Sequence, residues 1–205
     1  RAYFLWTELD LVTDSFAVGK DKKYVYFFGL LQIIQRIWTI YKDNAKTFWI
    51  IVGMSQILEI FYQDNPLTKN EMSYNKVYTL VSKLILECHL KDLFNKIVSL
   101  NFPIEYFISH SISALYSDIF QTELFERILD VVLFDACSKT DSVDKLDYLR
   151  FTCTIPITIM QLNHESIMQC KTTREMEKVF YDMVKKTFNI QRFFQVLQEN
   201  VSKFF

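Results

Sequence analysis

The sequence predicts an all-α fold, a compact and irregular helical array, and two observations carry that prediction. Apolar residues recur at steps of three or four along most of the chain, which is the period of one helix face, and no segment shows a competing strand alternation. Only three glycines and three prolines interrupt these patterns among 205 residues. With no internal repeat and no low-complexity linker, we expect a single domain over residues 1–205.

The first two helices are predicted at residues 24–41 and from Asn44 to the Asn65-Pro66 pair. Asn44 is a candidate N-cap, and a residue before proline is pushed out of the α region, so 64–70 is expected to be a loop. The expected inward residues of the first helix are Phe27, Leu31, Ile34, Trp38 and Tyr41. Those of the second are Phe48, Ile51, Val52, Leu58 and Phe61.

Seven further helices follow, with Pro103 in a favourable first-turn position and the polar segment 138–144 as a surface loop. The third helix is expected to bury Val77, Leu80, Val81, Leu84 and Ile85. The predicted ranges are 72–87, 90–100, 103–116, 122–136, 145–163, 172–186 and 190–204.

Composition and charge exclude several classes of function. A net charge of −1 and a pI near 6.4 provide no field that would attract nucleic acid. The apolar stretches 47–62 and 151–162 are too short or interrupted to span a membrane, and no secretory signal is visible. The scattered cysteines suggest a reducing compartment, so we expect an intracellular, cytoplasmic protein and buried thiols at Cys88, Cys137, Cys153 and Cys170.

No complete catalytic constellation is visible either. Gly19, Gly29 and Gly53 are too far apart to cradle a phosphate, and the three histidines are scattered. Adjacent Cys88 and His89 point about 100° apart on a helix, so they do not form a metal site. We therefore expect no cofactor, no metal and no enzymatic activity of the chain's own.

Three segments carry a resemblance to the TBC domains, helical modules that activate the GTPase activity of Rab proteins. Residues 43–52 read DNAKTFWIIV, similar to the family's acidic run followed by Phe-Trp and an apolar helix. The family motif thus falls on Phe48 and Trp49, although such a pair would also be expected in the core of any helical protein.

Residues 116–120 and 123–130 resemble the family's aromatic turn and its Arg-Ile-Trp-Asp motif. That motif is carried here by Arg127, Ile128 and Asp130, with Leu129 in the tryptophan position; another family tryptophan is replaced by Ser111. Residues 148–162 fit the next family helix. The resemblance covers 26–180, with 1–25 as a shortened or incomplete N-terminal part.

The resemblance implies two catalytic fingers, an arginine and a glutamine, which together stabilise and orient GTP hydrolysis on a Rab protein. The Tyr-x-Gln-Gly motif falls on Tyr26 and Gly29, but Phe28 stands in the glutamine position. The best candidate for the arginine motif keeps Asp10 but has Thr13 in place of arginine. These five positions would face the GTPase, although Asp10 and Tyr26 are only sixteen residues apart.

Neither replacement can do the work of a finger, because phenylalanine cannot orient a water and threonine carries no positive charge. Arg36 is the nearest alternative arginine, and its place in a patterned helix predicts a surface residue. The resemblance therefore implies an inactive Rab-GAP-like module, a pseudo-GAP that binds protein partners as an adaptor or structural subunit.

The candidate partners are a Rab-type small GTPase or a large cytoskeletal, ciliary or membrane-traffic complex, and the location could accordingly be cytoskeletal or ciliary. Exposed aromatics among the 33 Phe, Tyr and Trp residues would anchor such an interface. Two alternatives stay open at this point. One is an active Rab GTPase activator whose fingers lie outside this sequence or at unorthodox positions, and the other is an unrelated helical scaffold.

Overall fold

In a computed structural model of the chain, residues 29–62, 74–138, 146–183 and 188–205 are described, and all their regular secondary structure is helical. This confirms the all-α prediction. The helices are α1 Leu30–Tyr41, α2 Asn44–Tyr62, α3 Tyr74–His89, α4 Lys91–Ser99, α5 Ile104–Ser113, α6 Thr122–Ser138, α7 Leu146–Leu162, α8 His164–Gln169, α9 Thr173–Met183 and α10 Ile190–Phe204.

Every predicted helix is present, and within the described ranges α8 is the one addition. The predicted loops 64–70 and 138–144 lie outside the described residues, apart from Ser138, which ends α6. The first helix begins later than predicted, at Leu30, because Gly29 adopts a left-handed backbone conformation and stands at the N-cap. No helix in the described ranges is long and apolar enough to cross a membrane.

Helix α7 forms the centre of the fold. Its residues 152–160 are all buried, and it packs against α3, α5, α6, α8 and α10. A helix that is apolar on every side is stable only when neighbours surround it, which explains why the 148–162 segment shows no polar face. Polar contacts also occur there: Asn200 of α10 donates to the Thr158 hydroxyl at 3.1 Å and to the Gln161 side chain at 2.8 Å.

Pro156 interrupts the hydrogen bonding of α7 from inside the helix. Proline has no N–H to donate to the carbonyl four residues earlier, which is that of Thr152. The Tyr116 hydroxyl donates to this carbonyl instead, at 2.7 Å. The hydroxyl of Ser82 lies 3.1 Å from the neighbouring Cys153 carbonyl. The turn that carries Tyr116 thus supplies a donor where the proline removes one.

The predicted inward face of α3 is wrong in part. Leu80 and Leu84 are 40 % and 57 % exposed, whereas Tyr78 and Ser82 are buried on the adjacent face. The hydroxyl of Ser82 also reaches the Tyr78 carbonyl at 2.8 Å, and a polar group bonded in this way can enter a core without a large penalty. A prediction from apolar periodicity does not include buried polar residues of this kind.

The inward face of α1 is shifted as well, towards Ile33, Ile34 and Ile37, which are all buried. Of the predicted set, Ile34 is buried but Tyr41 is 49 % exposed. Both faces of this helix carry bulky apolar residues, so periodicity alone cannot decide between them.

Two further local predictions are corrected by hydrogen bonding and burial. Asp43, not Asn44, caps α2, because the Asp43 carboxylate accepts the backbone N–H of Lys46 at 3.0 Å. Cys88 is exposed, while Cys153 and Cys170 are buried as predicted; the Cys137 side chain lies outside the described ones. Burial raises the pKa of Cys153 to about 12, so this thiol stays protonated and unreactive.

Candidate functional site

Gly29 is the last position of the degenerate glutamine motif and lies at the first turn of α1. Its φ is +107°, and its carbonyl accepts the N–H of Ile33 at 3.1 Å, so it begins the helix. A Cβ added here would lie 2.7 Å from the carbonyl carbon of Ser113 and 2.8 Å from the nitrogen of Ala114. Only glycine therefore satisfies both the backbone conformation and the space.

The backbone that Gly29 contacts leads into a tight turn between α5 and α6, here called the 114–120 turn. Leu115 and Tyr116 have φ values of +46° and +60°, a conformation that costs non-glycine residues of the order of 1 kcal/mol or more each. Both side chains are buried, and the N–H of Tyr116 donates to the Ser111 carbonyl at 2.8 Å. Packing and hydrogen bonding hold the turn in this conformation.

Arg36 holds α1 to the far end of the same turn. Its guanidinium donates to the Phe120 carbonyl and lies 5.9 Å from the centre of the Phe125 ring. Burial lowers the pKa of Arg36, and the charge of Glu126 opposes that change. The prediction of a surface residue is wrong, because this arginine is turned into the fold.

Aromatic residues fix Phe120 from the opposite side. Its ring packs edge-on against Phe188 at 5.7 Å and Phe193 at 5.0 Å, both near the start of α10. Gln121 adds a hydrogen bond from its side chain to the Phe188 carbonyl at 3.0 Å. The 114–120 turn is therefore held between α1 on one side and the start of α10 on the other.

A histidine–carboxylate pair links the end of α5 to the 114–120 turn. The Nε2 atom of His110, in the last turn of α5, lies 2.9 Å from Oδ2 of Asp118. The hydrogen bond to Asp118 raises the pKa of His110, burial opposes the rise, and the carboxylate charge adds to it. The Tyr106 ring stacks on His110 at 6.2 Å.

The pair predicts a pH-dependent contribution to stability. A histidine whose pKa is raised on folding stabilises the native state fully below its unfolded pKa, near 6.5, and loses that contribution as pH rises through the folded value. We expect Asp118→Asn to cost about 1 kcal/mol or less of unfolding free energy near pH 5.5. The cost should shrink by about pH 8, and urea unfolding of both proteins at the two pH values measures it.

Glu105→Gln is the matched control, since Glu105 pairs with Lys83 rather than with a histidine. The carboxylate hydrogen bond to Lys83 lowers the pKa of Glu105, so its contribution is present above the unfolded carboxyl pKa and is lost only in acid. Its cost should not change between pH 5.5 and 8. An equal cost of Asp118→Asn at both pH values would contradict the assignment to His110.

The structure brings together only part of the predicted site. Asp10, Thr13, Tyr26 and Phe28 lie outside the described residues, and Gly29 lies against the 114–120 turn.

The residues of the two structural motifs do not all lie in the core. Trp49, which is not in the predicted inward set of α2, is 67 % exposed, and Phe48, which is in that set, is half-buried. Arg127 and Asp130 are exposed on α6, where Ile128 and Leu129 of the same motif are buried.

Arg127 lines a shallow pocket of about 330 Å³ between the first turns of α6 and α10. The carboxyl group of Glu123 and the side chains of Gln121 and Gln191 share that lining. Among the described residues, no group of three or more His, Cys, Asp or Glu side chains could hold a metal ion.

Sequence reasoning did not find the roles of Arg36, His110 and Asp118. Each depends on a partner distant in the chain or across a turn; Arg36 and Phe120 are 84 residues apart. The sequence carries no local signal for these contacts, and Gly29 is marked only as one of three glycines, directly before an apolar helix.

The Rab-GTPase-TBC domain family matches residues 17–168, about three quarters of the chain. The chain belongs to this family, whose members activate GTPases and are not themselves hydrolases. The 114–120 turn, α1 and α6 all lie within the matched range. Phe188 and Phe193, which pack on the turn, come from beyond it.

No curated protein and no solved structure matches the chain. Family membership excludes the alternative of an unrelated helical scaffold. It also relates the chain to the activation of Rab GTPases.

Proposed function

We propose that the chain, as one domain over residues 1–205, is a catalytically inactive TBC module, a pseudo-GAP that binds protein partners as an adaptor or structural subunit. The observation that carries this proposal is that the Arg36 guanidinium is bound within its own fold. Arg36 is the nearest arginine to Gly29 that could replace the missing finger, and its guanidinium is bonded to the Phe120 carbonyl. An arginine finger has to extend into another protein and neutralise charge there.

Withdrawing Arg36 from the turn would leave two groups without their partners. The Phe120 carbonyl would lose its donor, and Glu126 would lose the positive charge that it faces. A side chain that stabilises its own fold in this way is a poor candidate for a group supplied in trans. The remaining described arginines are exposed, and they lie on helices far along the chain from Gly29: Arg127, Arg150, Arg174 and Arg192.

The sequence supports the same conclusion at the glutamine position. The interval to Phe48 and Trp49 sets the register of the Tyr-x-Gln-Gly motif, so its glycine is Gly29 and the residue directly before it is Phe28. A phenyl ring has neither donor nor acceptor with which to orient an attacking water. On the motif positions that the resemblance assigns, Thr13 and Phe28 are both side chains unable to perform the chemistry.

Single-turnover GTP hydrolysis across a panel of purified Rab proteins tests the proposal. We expect less than a twofold change over intrinsic hydrolysis, because an arginine finger alone gives about a thousandfold or more. A large acceleration that collapses when one exposed arginine, such as Arg127, is changed to alanine would overturn the proposal. An acceleration that disappears with Arg127→Ala but survives Arg174→Ala would also identify the finger.

A further inference from the structure

The outer side of α2 carries a surface that the described part of the chain leaves exposed. We define the Trp49 surface as the exposed residues at the start and along the outer side of this helix: Lys42, Ala45, Lys46, Trp49 and Gly53. The helix residues among them fall within about 100° of one another around the helix axis. The opposite side carries Thr47, Ile51 and Met54, which are buried. The surface is therefore one face of the helix and not a scatter of exposed side chains.

Trp49 projects from this face with its ring supported from behind. The ring is 67 % exposed and packs edge-on against the Phe48 ring at 5.3 Å. A large aromatic side chain held in place by its neighbour loses little conformational freedom on binding, which is the property of an interface anchor. The exposed two thirds of the side chain add no apolar burial to the chain itself.

Gly53, one turn further along, leaves room beside the tryptophan. Among the described residues, and apart from its chain neighbours and the backbone of α2 itself, no atom lies within 4 Å of the position that its Cβ would occupy, and the residue is exposed. Ala45, one turn earlier, is also small. The backbone of a bound segment could therefore approach the helix closely on either side of the Trp49 ring.

The positive charge of the Trp49 surface determines which charge a bound segment should carry. Lys42 and Lys46 are exposed, and no acidic side chain is exposed among residues 41–54. The half-buried Asp43 carboxylate is engaged with the Lys46 N–H. The N-terminal end of α2 adds the positive end of the helix dipole.

We propose that the Trp49 surface docks an acidic segment of a partner protein that carries an apolar residue for the indole. This inference rests on the proposed adaptor function and gives it a place and a partner chemistry. The apolar residue would pack against the face of Trp49. Its acidic neighbours would pair with Lys42 and Lys46 at the rim, where charges act mainly on partner choice and association rate.

A displayed library of peptides about 16 residues long, with leucines at helical spacing and flanks drawn from Asp, Glu, Lys and Ser, tests the proposal against the full chain. We expect selection to enrich acidic flanks. Trp49→Ala should weaken the selected peptides about tenfold or more, and fluorescence anisotropy of labelled peptides measures that change. Tyr106→Ala is the matched control, because Tyr106 is 71 % exposed on α5 and should change binding less than twofold.

The charge requirement is tested separately with Lys42→Glu and Lys46→Glu together, against Lys178→Glu as an exposed control on α9. The double change should remove the enrichment of acidic flanks, and the control should preserve it. The proposal is overturned if no peptide is enriched, if basic flanks are enriched, or if Tyr106→Ala weakens binding as much as Trp49→Ala. Circular dichroism melts of each variant establish that the fold is intact.

The two proposals fail in different ways. Accelerated GTP hydrolysis together with Trp49-dependent peptide binding would overturn the pseudo-GAP and leave the docking surface standing. Unaccelerated GTP hydrolysis together with a library that enriches no peptide would overturn the docking surface and leave the pseudo-GAP standing.

Discussion

Replacing Gly29 with alanine should destabilise the protein by about 3–5 kcal/mol, the largest single effect that we expect. The methyl group would meet the backbone of Ser113 and Ala114, which cannot rotate away as a side chain can. The φ of +107° adds backbone strain in any L-residue. Thermal unfolding followed by circular dichroism should show the midpoint falling by about 10 °C for a chain of this size.

Gly53→Ala is the matched control, because Gly53 lies inside α2 with open space around it. Alanine should stabilise that helix by about 0.5–1 kcal/mol. Gly29→Asn separates the two causes at the first site: asparagine tolerates positive φ better than alanine, but its Cβ meets the same backbone. If the thermal unfolding midpoints of Gly29→Ala and Gly53→Ala lie within about 2 °C of each other, the inference that Gly29 contacts the backbone of the 114–120 turn is contradicted.

The second large effect is expected from Tyr116→Phe, at about 2 kcal/mol. Tyr116 is 2 % exposed, and its hydroxyl donates to the Thr152 carbonyl, for which Pro156 offers no N–H. Removing the hydroxyl leaves a buried acceptor without its donor while the ring keeps its packing. Urea unfolding of the two proteins measures the difference, and Tyr106→Phe, at an exposed site, should cost nothing measurable.

Pro156→Ala supplies a test of the cause. Alanine restores an N–H at the position that normally bonds the Thr152 carbonyl, so this carbonyl keeps a donor when the tyrosine hydroxyl is removed. The cost of Tyr116→Phe should then fall to about 1 kcal/mol or less, and the double-mutant cycle should report a coupling of about 1 kcal/mol. Equal costs in both backgrounds would show that the hydroxyl stabilises something other than the carbonyl freed by the proline.

The helices were predictable because the chain is almost free of competing signals. Apolar periodicity fixes α4 and α6, whose buried residues Leu93, Ile97, Leu124 and Phe125 are those that the pattern indicates. Helix α8 was missed because six residues provide too short a window for a periodic pattern.

The helix faces were less predictable, and the reason is chemical. Ser82 is buried on α3 because a carbonyl of its own helix and one of α7 both lie within reach of its hydroxyl, and either can accept its single proton. Leucine at 84 is left outside, because the neighbours of α3 lie on the adjacent face. Hydrophobicity describes a residue alone, whereas burial depends on the partners that the fold provides.

For the candidate site, the sequence assigned motif positions through the family resemblance, but it did not reveal the contacts that Gly29 and Arg36 make with distant residues. Nothing in the order of residues shows that Arg36 reaches Phe120, or that Gly29 lies against Ser113. Such long-range contacts arise from the packing of α1 across the turn between α5 and α6. These contacts give both residues a structural role: Arg36 stabilises the fold, and Gly29 contacts the backbone of the 114–120 turn.

That contact bears on how degenerate family members are interpreted. Gly29 is required by its backbone angle and by the nearness of Ser113 and Ala114, whatever side chain precedes it. Selection for a folded protein alone would keep this glycine long after selection for GTP hydrolysis had ceased. A surviving glycine in the motif is therefore a marker of folding, and only the residue before it reports on catalysis.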